Sequence, residues 1–133
     1  PYSVLAFQNA RRYLGKAFQQ QVDNAADYQE VARQSAQITM LYGERVDVIV
    51  LDINIFQYYR RQEQRVSTQQ AVDMFRLFEP VHYQMAFSRA QWRDDFDKGI
   101  EALKRSGRYQ QIIQQYLSSE SLTYTEAAED LAQ

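Results

Sequence analysis

Cysteine is absent from this chain, and histidine occurs once, as His82. Without cysteine there is no disulfide, no thiolate metal site and no cysteine nucleophile. A lone histidine has no second histidine or cysteine to join it as a metal ligand or a nucleophile. Neither sign of charge prevails: the formal net charge is −2 over 133 residues, which points neither to nucleic acid nor to an anionic membrane surface. No apolar run approaches the ~20 residues that a membrane-spanning helix needs. A phosphate-binding loop, a dinucleotide fingerprint and a hydrolase triad are also missing, so no catalytic residue, metal or cofactor is expected. The chain begins at Pro1 without methionine, and we expect the natural N-terminus, with any signal peptide, to lie upstream.

What is present suits one folded domain with one core: hydrophobic residues make up 45% of the chain, an ordinary fraction. The stretch Gly43–Asp52 organises the rest. It opens on a turn glycine and ends on an acid, and between Val46 and Leu51 only Asp47 interrupts the apolar residues. A short β-branched run of this kind reads as a strand buried on both faces, as in a parallel sheet covered by helices. Asp52 then sits at the strand's carboxyl end, where ligands bind in open α/β sheets. An acid there also suits the cap of the helix that follows.

Taken in order, Val4–Phe7 reads as a strand, followed by a helix capped by Asn9 with Ala10, Tyr13, Leu14, Ala17 and Phe18 on one face. Residues 23–27 punctuate. Tyr28, Val31, Ser35, Ile38 and Tyr42 form a second helical stripe, stopped by Gly43. After the central strand, a third helix runs from Ile53 to about Gln64 with Ile53, Phe56, Tyr59 and Tyr58 inward. This alternation of strands and helices predicts an α/β layer with a mostly parallel sheet. Met74–Phe78 reads as a short strand and Val81–Phe87, which alternates cleanly, as another. Then the period becomes helical: Trp92, Phe96, Ile100 and Leu103 to a stop at Ser106-Gly107, and Tyr109, Ile112, Ile113, Tyr116 and Leu117 in a second helix. Ser118–Thr123 reads as a linker and Tyr124–Leu131 as a weak acidic helix.

These blocks resemble the second lobe of a type II periplasmic solute-binding protein, from the branch serving ABC transporters of polar amino acids. Gly43–Asp52 resembles the family's G-R-x-D-A-x-x-x-D segment. Tyr83-Gln84-Met85-Ala86-Phe87 resembles the strand returning from the second lobe to the first. Phe96, Ile100, Leu103, Gly107, Tyr109, Ile113 and Tyr116 resemble the closing pair of helices. The resemblance covers roughly Ser3 to Leu117. It implies a Rossmann-like ligand-binding lobe over residues 1–88 including the return strand, helices over 89–117 that would pack on the first lobe, and a tail over 118–133. The chain departs from the pattern at Gln8-Asn9-Ala10, where the family has Gly followed by Ser or Thr. The first lobe, with the arginine that clamps the ligand carboxylate, is not in this sequence.

The resemblance implies an extracytoplasmic, periplasmic binding module that captures a small polar solute such as an amino acid between two lobes, with an ABC permease as partner. The alternatives are a ligand-sensing domain of a bacterial signalling protein and a dehydratase-like enzyme on the same fold, for which only Asp52, Glu79 and His82 offer acid–base groups. A helical interaction module built on the last forty residues is a further rival. Asp52 would accept the solute's ammonium, or simply cap its helix. Gln8, Asn9, Ala10 and Arg11 form the other half of the expected site, a helix start whose free amides suit an anion, or an ordinary cap beside solvated arginines. His82 reads as a surface or hinge residue, Asp47 as paired with Arg45 or a helix, and Asp94, Asp95 and Asp97 as a solvated face. Tyr58, Tyr59, Arg60 and Arg61 line a cleft or belong to the core. The apolar stripe of the last two helices predicts self-association, a homodimer through this segment.

Overall fold

The computed structural model describes residues 2–25 and 27–117. They fall into two units, residues 2–75 and 76–117. The first is an α/β layer built on three parallel strands: β1 (Val4–Phe7) in the centre, β2 (Tyr28–Val31) on one side and β3 (Val48–Val50) on the other. Val4, Leu5 and Ala6 stand opposite Tyr28, Gln29 and Glu30 on one flank and opposite Val48, Ile49 and Val50 on the other. Leu5 and Ala6 are fully buried, as a central strand covered on both faces requires.

Two helices join β1 to β2 where one was expected. Asn9 takes the left-handed conformation (φ 66°) and its side chain caps nothing; α1 (Ala10–Tyr13) lasts one turn before Leu14 breaks it. α2 (Gly15–Asp23) restarts at Gly15, whose φ of +88° a residue with a Cβ adopts only under strain. The expected common face is therefore lost: Tyr13 is 70% exposed, while Ala10 and Val22 are buried.

The helical stripe read from Tyr28 onward is also corrected. Tyr28–Val31 pairs with β1 as a strand, and α3 (Gln34–Tyr42) begins only after Arg33, which is still extended. α3 crosses all three strands. From it the fully buried Gln37 sends its Nε2 to the carbonyl oxygens of Leu5 (2.8 Å) and Val50 (3.1 Å), so one side chain bridges β1 and β3. α4 (Ile53–Gln62) packs on α3. Ile38, Tyr42 and Phe56 form the core there, with Tyr42 and Phe56 stacked at 6.5 Å. Phe56 is buried and Ile53 and Tyr59 half-buried, as read; Tyr58 is exposed.

The segment after α4 has no regular structure but is fastened at two points. Arg60 donates through Nε and Nη2 to the Thr68 carbonyl oxygen, and its guanidinium lies 5.8 Å from the centre of the Tyr42 ring. Glu63, with only 3% of its side chain exposed, accepts from Arg65 through both carboxylate oxygens and from Thr39 Oγ1 at 2.6 Å. Val66, Val72 and Met74 then pack against the core cluster.

At the opposite end of the sheet, Asp47 does not pair with Arg45 or a helix. Its carboxylate accepts from the Ser3 backbone N–H and hydroxyl (2.8 and 2.7 Å), clasping the start of β1 to the start of β3. These donors, the Ser3 N–H foremost, hold its carboxyl below the usual range.

The second unit consists, among the described residues, of an irregular stretch followed by α5 (Ala90–Arg105), a turn at Ser106-Gly107 and α6 (Arg108–Leu117). α5 and α6 pack on each other. The expected strands over Met74–Phe78 and Val81–Phe87 do not form: no strand partner stands beside them among the described residues, and Tyr83 is 80% exposed. An alternating pattern supplies a face, but a strand also needs a neighbour to take its N–H and C=O groups. Neither α5 nor α6 contains a buried residue, and Trp92 is 51% exposed. Phe87 meets Phe96 at 5.2 Å, and Arg89 covers the Trp92 ring at 4.9 Å. The linker and acidic helix read over residues 118–133 lie outside the described residues.

Candidate functional site

A parallel sheet of order β2-β1-β3 reverses its direction of winding at β1. The chain first steps to one side, to β2, and then crosses back over β1 to reach β3. The loops leaving the carboxyl ends of β1 and β3 therefore diverge and leave a crevice between them. Gln8 and Asn9 follow β1, and Leu51 and Asp52 follow β3, so the sequence-predicted residues sit past the ends of two adjacent strands.

Each half has local work as well. Asp52 is extended and caps α4: its Oδ1 accepts from the backbone N–H groups of Asn54 (2.8 Å) and Ile55 (3.2 Å). A carboxylate here stabilises the helix start by capping and by meeting the positive end of the helix dipole. One carboxylate oxygen is spent on the cap, and no hydrogen bond to Oδ2 occurs among the described residues.

The Asn9 side departs from expectation. The backbone N–H groups of Asn9 and Arg11 are not open to a ligand, because the carboxylate of Glu30 on β2 holds them: Asn9 donates to Oε2 at 2.7 Å and Arg11 to Oε1 at 2.9 Å. The Tyr28 hydroxyl donates to Oε1 at 2.8 Å. Arg11, in turn, stacks over the Tyr28 ring at 5.3 Å and pairs with Asp23 at 3.2 Å. Phe18 from α2 meets the edge of the same ring at 6.0 Å. The Arg11 N–H, foremost, holds Glu30 below the usual carboxylate range. Burial, then the bond to Glu30, pushes the Tyr28 phenol up.

An open cleft of about 560 Å³ lies against this network, lined by Asn9, Arg11, Arg12, Gln19, Tyr28 and Glu30. Asn9 and Arg11 are thus brought to a cleft; Gln8, Ala10 and Asp52 are not among its lining residues, and Ala10 is buried. Sequence reasoning missed Tyr28 and Glu30, which it placed on a helix. Their spacing of two residues, which puts both side chains on one face of a strand, is the signal that finds them. Tyr58 is on the surface, whereas Arg60 is spent on Thr68 and Tyr42. His82 is exposed. Among the described residues no three His, Cys, Asp or Glu side chains cluster as a metal site would require, and no helix is long and apolar enough to cross a membrane.

Comparison with known proteins adds no relative: no family model, no curated protein and no solved structure matches this chain.

Proposed function

We propose that this chain is one Rossmann-like lobe of a two-lobed, type II solute-binding protein, acting outside the cytoplasm as a binding module that delivers a small polar solute to an ABC permease. The observation that carries this reading is the placement of Asn9 and Asp52 past the carboxyl ends of adjacent parallel strands, at the point where the winding reverses. That crevice is where open α/β sheets hold ligands. An open cleft with convergent polar groups beside Asn9 adds to it.

In this reading Asp52 has one oxygen for its helix and the other for an N–H or O–H of the solute. The lobe alone covers one side of the solute. A pocket normally buries most of its ligand, so tight binding requires a second lobe to close over it, driven by the difference in affinity between open and closed states.

Calorimetry tests this. Titrated with the common amino acids and other small polar solutes, the isolated chain is expected to show no saturation at micromolar concentrations. The same sequence extended upstream is expected to bind one solute class stoichiometrically, and more weakly with Asp52→Asn. A tight, stoichiometric signal from the isolated chain, or none from the extended protein with any solute, refutes the reading.

A further inference from the structure

The cleft beside Asn9 already contains a carboxylate. Three donors converge on Glu30, from Asn9 N, Arg11 N and the Tyr28 hydroxyl, and an ionised carboxylate offers about four acceptor positions. One acceptor position therefore remains. Arg11 is committed to Asp23 and to the Tyr28 ring. The Arg12 side chain makes no hydrogen bond or ion pair among the described residues, and with the Gln19 and Asn9 side-chain amides it supplies further donors to the cleft. The charges of Arg11 and Arg12 are balanced by those of Glu30 and Asp23. A second carboxylate entering here would meet Glu30 with the backbone donors spent, and like charges at one site repel. Arg12 offers little in return, since an exposed ion pair contributes only ~0–1 kcal/mol. A cation would meet two guanidinium groups.

We propose that this cleft takes an uncharged polar solute, one bearing a hydroxyl or amide and no carboxylate, with Glu30 as the residue that sets this preference. The inference rests on the solute-binding reading and narrows it away from free amino acids held by their carboxylate. The solute gives an O–H or N–H to the remaining Glu30 acceptor and receives bonds from Arg12 and Gln19.

Acetate and acetamide share a shape and differ in charge, which makes them the probes. With the full 133-residue chain labelled with ¹⁵N, each is titrated at matched millimolar concentration and ionic strength. The signals read are the Gln19 side-chain amide, Arg12 Nε–H and the backbone amides of Asn9 and Arg11. Acetamide is expected to move them roughly fivefold further than acetate, the upper end for one exposed charge contact. Glu30→Ala leaves the arginines in excess and is expected to invert the preference. Glu30→Gln, which keeps the side chain's length and an acceptor should Ala disturb β2, is expected to abolish it. Acetate acting as strongly as acetamide on the wild-type chain overturns the selectivity while leaving the solute-binding reading intact. An unchanged preference in Glu30→Gln overturns the role of Glu30. Silence toward both probes overturns the cleft as a site, and the solute-binding reading is then decided by its own calorimetry.

Discussion

Gln37 bridges two strands through one nitrogen, and replacing it with glutamate exchanges that nitrogen for an oxygen. Wild-type Nε2 donates to two carbonyl oxygens, 2.8 and 3.1 Å away, in a position with no exposed surface. A carboxylate there would face two acceptors with no proton to offer. The chain can avoid this by keeping the glutamate protonated, which retains one donor. At about pH 7 that costs the free energy between neutrality and an ordinary glutamate pKa near 4.3, or about 4 kcal/mol. The lost second bond adds about 1 kcal/mol. The sum rivals the stability of a small domain. Because the folded-state pKa is raised, the protonation penalty vanishes below the unfolded value and grows as pH rises toward the folded one. Urea unfolding followed by circular dichroism should therefore show Gln37→Glu close to unfolded near neutrality and recovering toward about pH 4. Gln37→Leu separates charge from shape. It loses two bonds of about 1 kcal/mol each but removes Oε1, which has no hydrogen-bond partner among the described residues and costs about 1–3 kcal/mol. It should fall within about 1 kcal/mol of wild type. Gln37→Glu matching wild type near pH 7 would refute the bridge, and Gln37→Leu as damaging as Gln37→Glu would refute the buried charge as the cause.

Further outcomes are expected elsewhere. Glu63 is held well below the usual carboxylate range, first by the Arg65 side chain and then by Thr39, so its contribution is complete above an ordinary glutamate pKa and lost as pH falls through the depressed one. As pH falls below an ordinary glutamate pKa the wild type should lose stability more steeply than Glu63→Gln, so that the two stability curves converge; parallel curves would exclude the linkage. Asp52→Ala should cost about 1 kcal/mol in thermal unfolding, whereas Asp52→Asn, which still accepts from Asn54 and Ile55, should cost a few tenths; equal losses would show that the cap is not the cause. The exposed face of α5 and α6 should make the chain self-associate with rising concentration in sedimentation velocity, and Phe96→Lys should suppress this; a monomer at every concentration would remove self-association from the account.

Elements whose own side chains dictate their state were legible in the sequence. β1 is four apolar residues, and its burial follows from composition. The α5–α6 hairpin carries its period and its Ser106-Gly107 stop on the surface of the pattern, and Asp52 announces a cap by its place before an apolar helix. β2 was not legible. Tyr28–Val31 is an edge strand with polar residues at two of its four positions, and only pairing with β1 makes it extended. Once β2 was hidden, so was the site, because Glu30 reaches Asn9 and Arg11 only across a strand pair. Asp47 shows the same limit, since its partner Ser3 lies 44 residues away. Val81–Phe87 fails for the opposite reason: its local pattern is strong, but no neighbouring strand meets it among the described residues.

The central position of β1 has a consequence for the living chain. Translation delivers this strand before either of its neighbours, and the Ser3–Asp47 clasp must wait until Asp47, 44 residues further along, has been added. At roughly 5–20 residues per second, Val4–Phe7 waits about 2–9 s for the β3 side of the sheet it will anchor. An apolar strand whose β3-facing edge stays open is a template for mispairing over that interval. The newborn lobe is thus most open to mispairing at this strand, and a slow stretch of codons ahead of residue 48 would prolong the exposure where a fast one would shorten it.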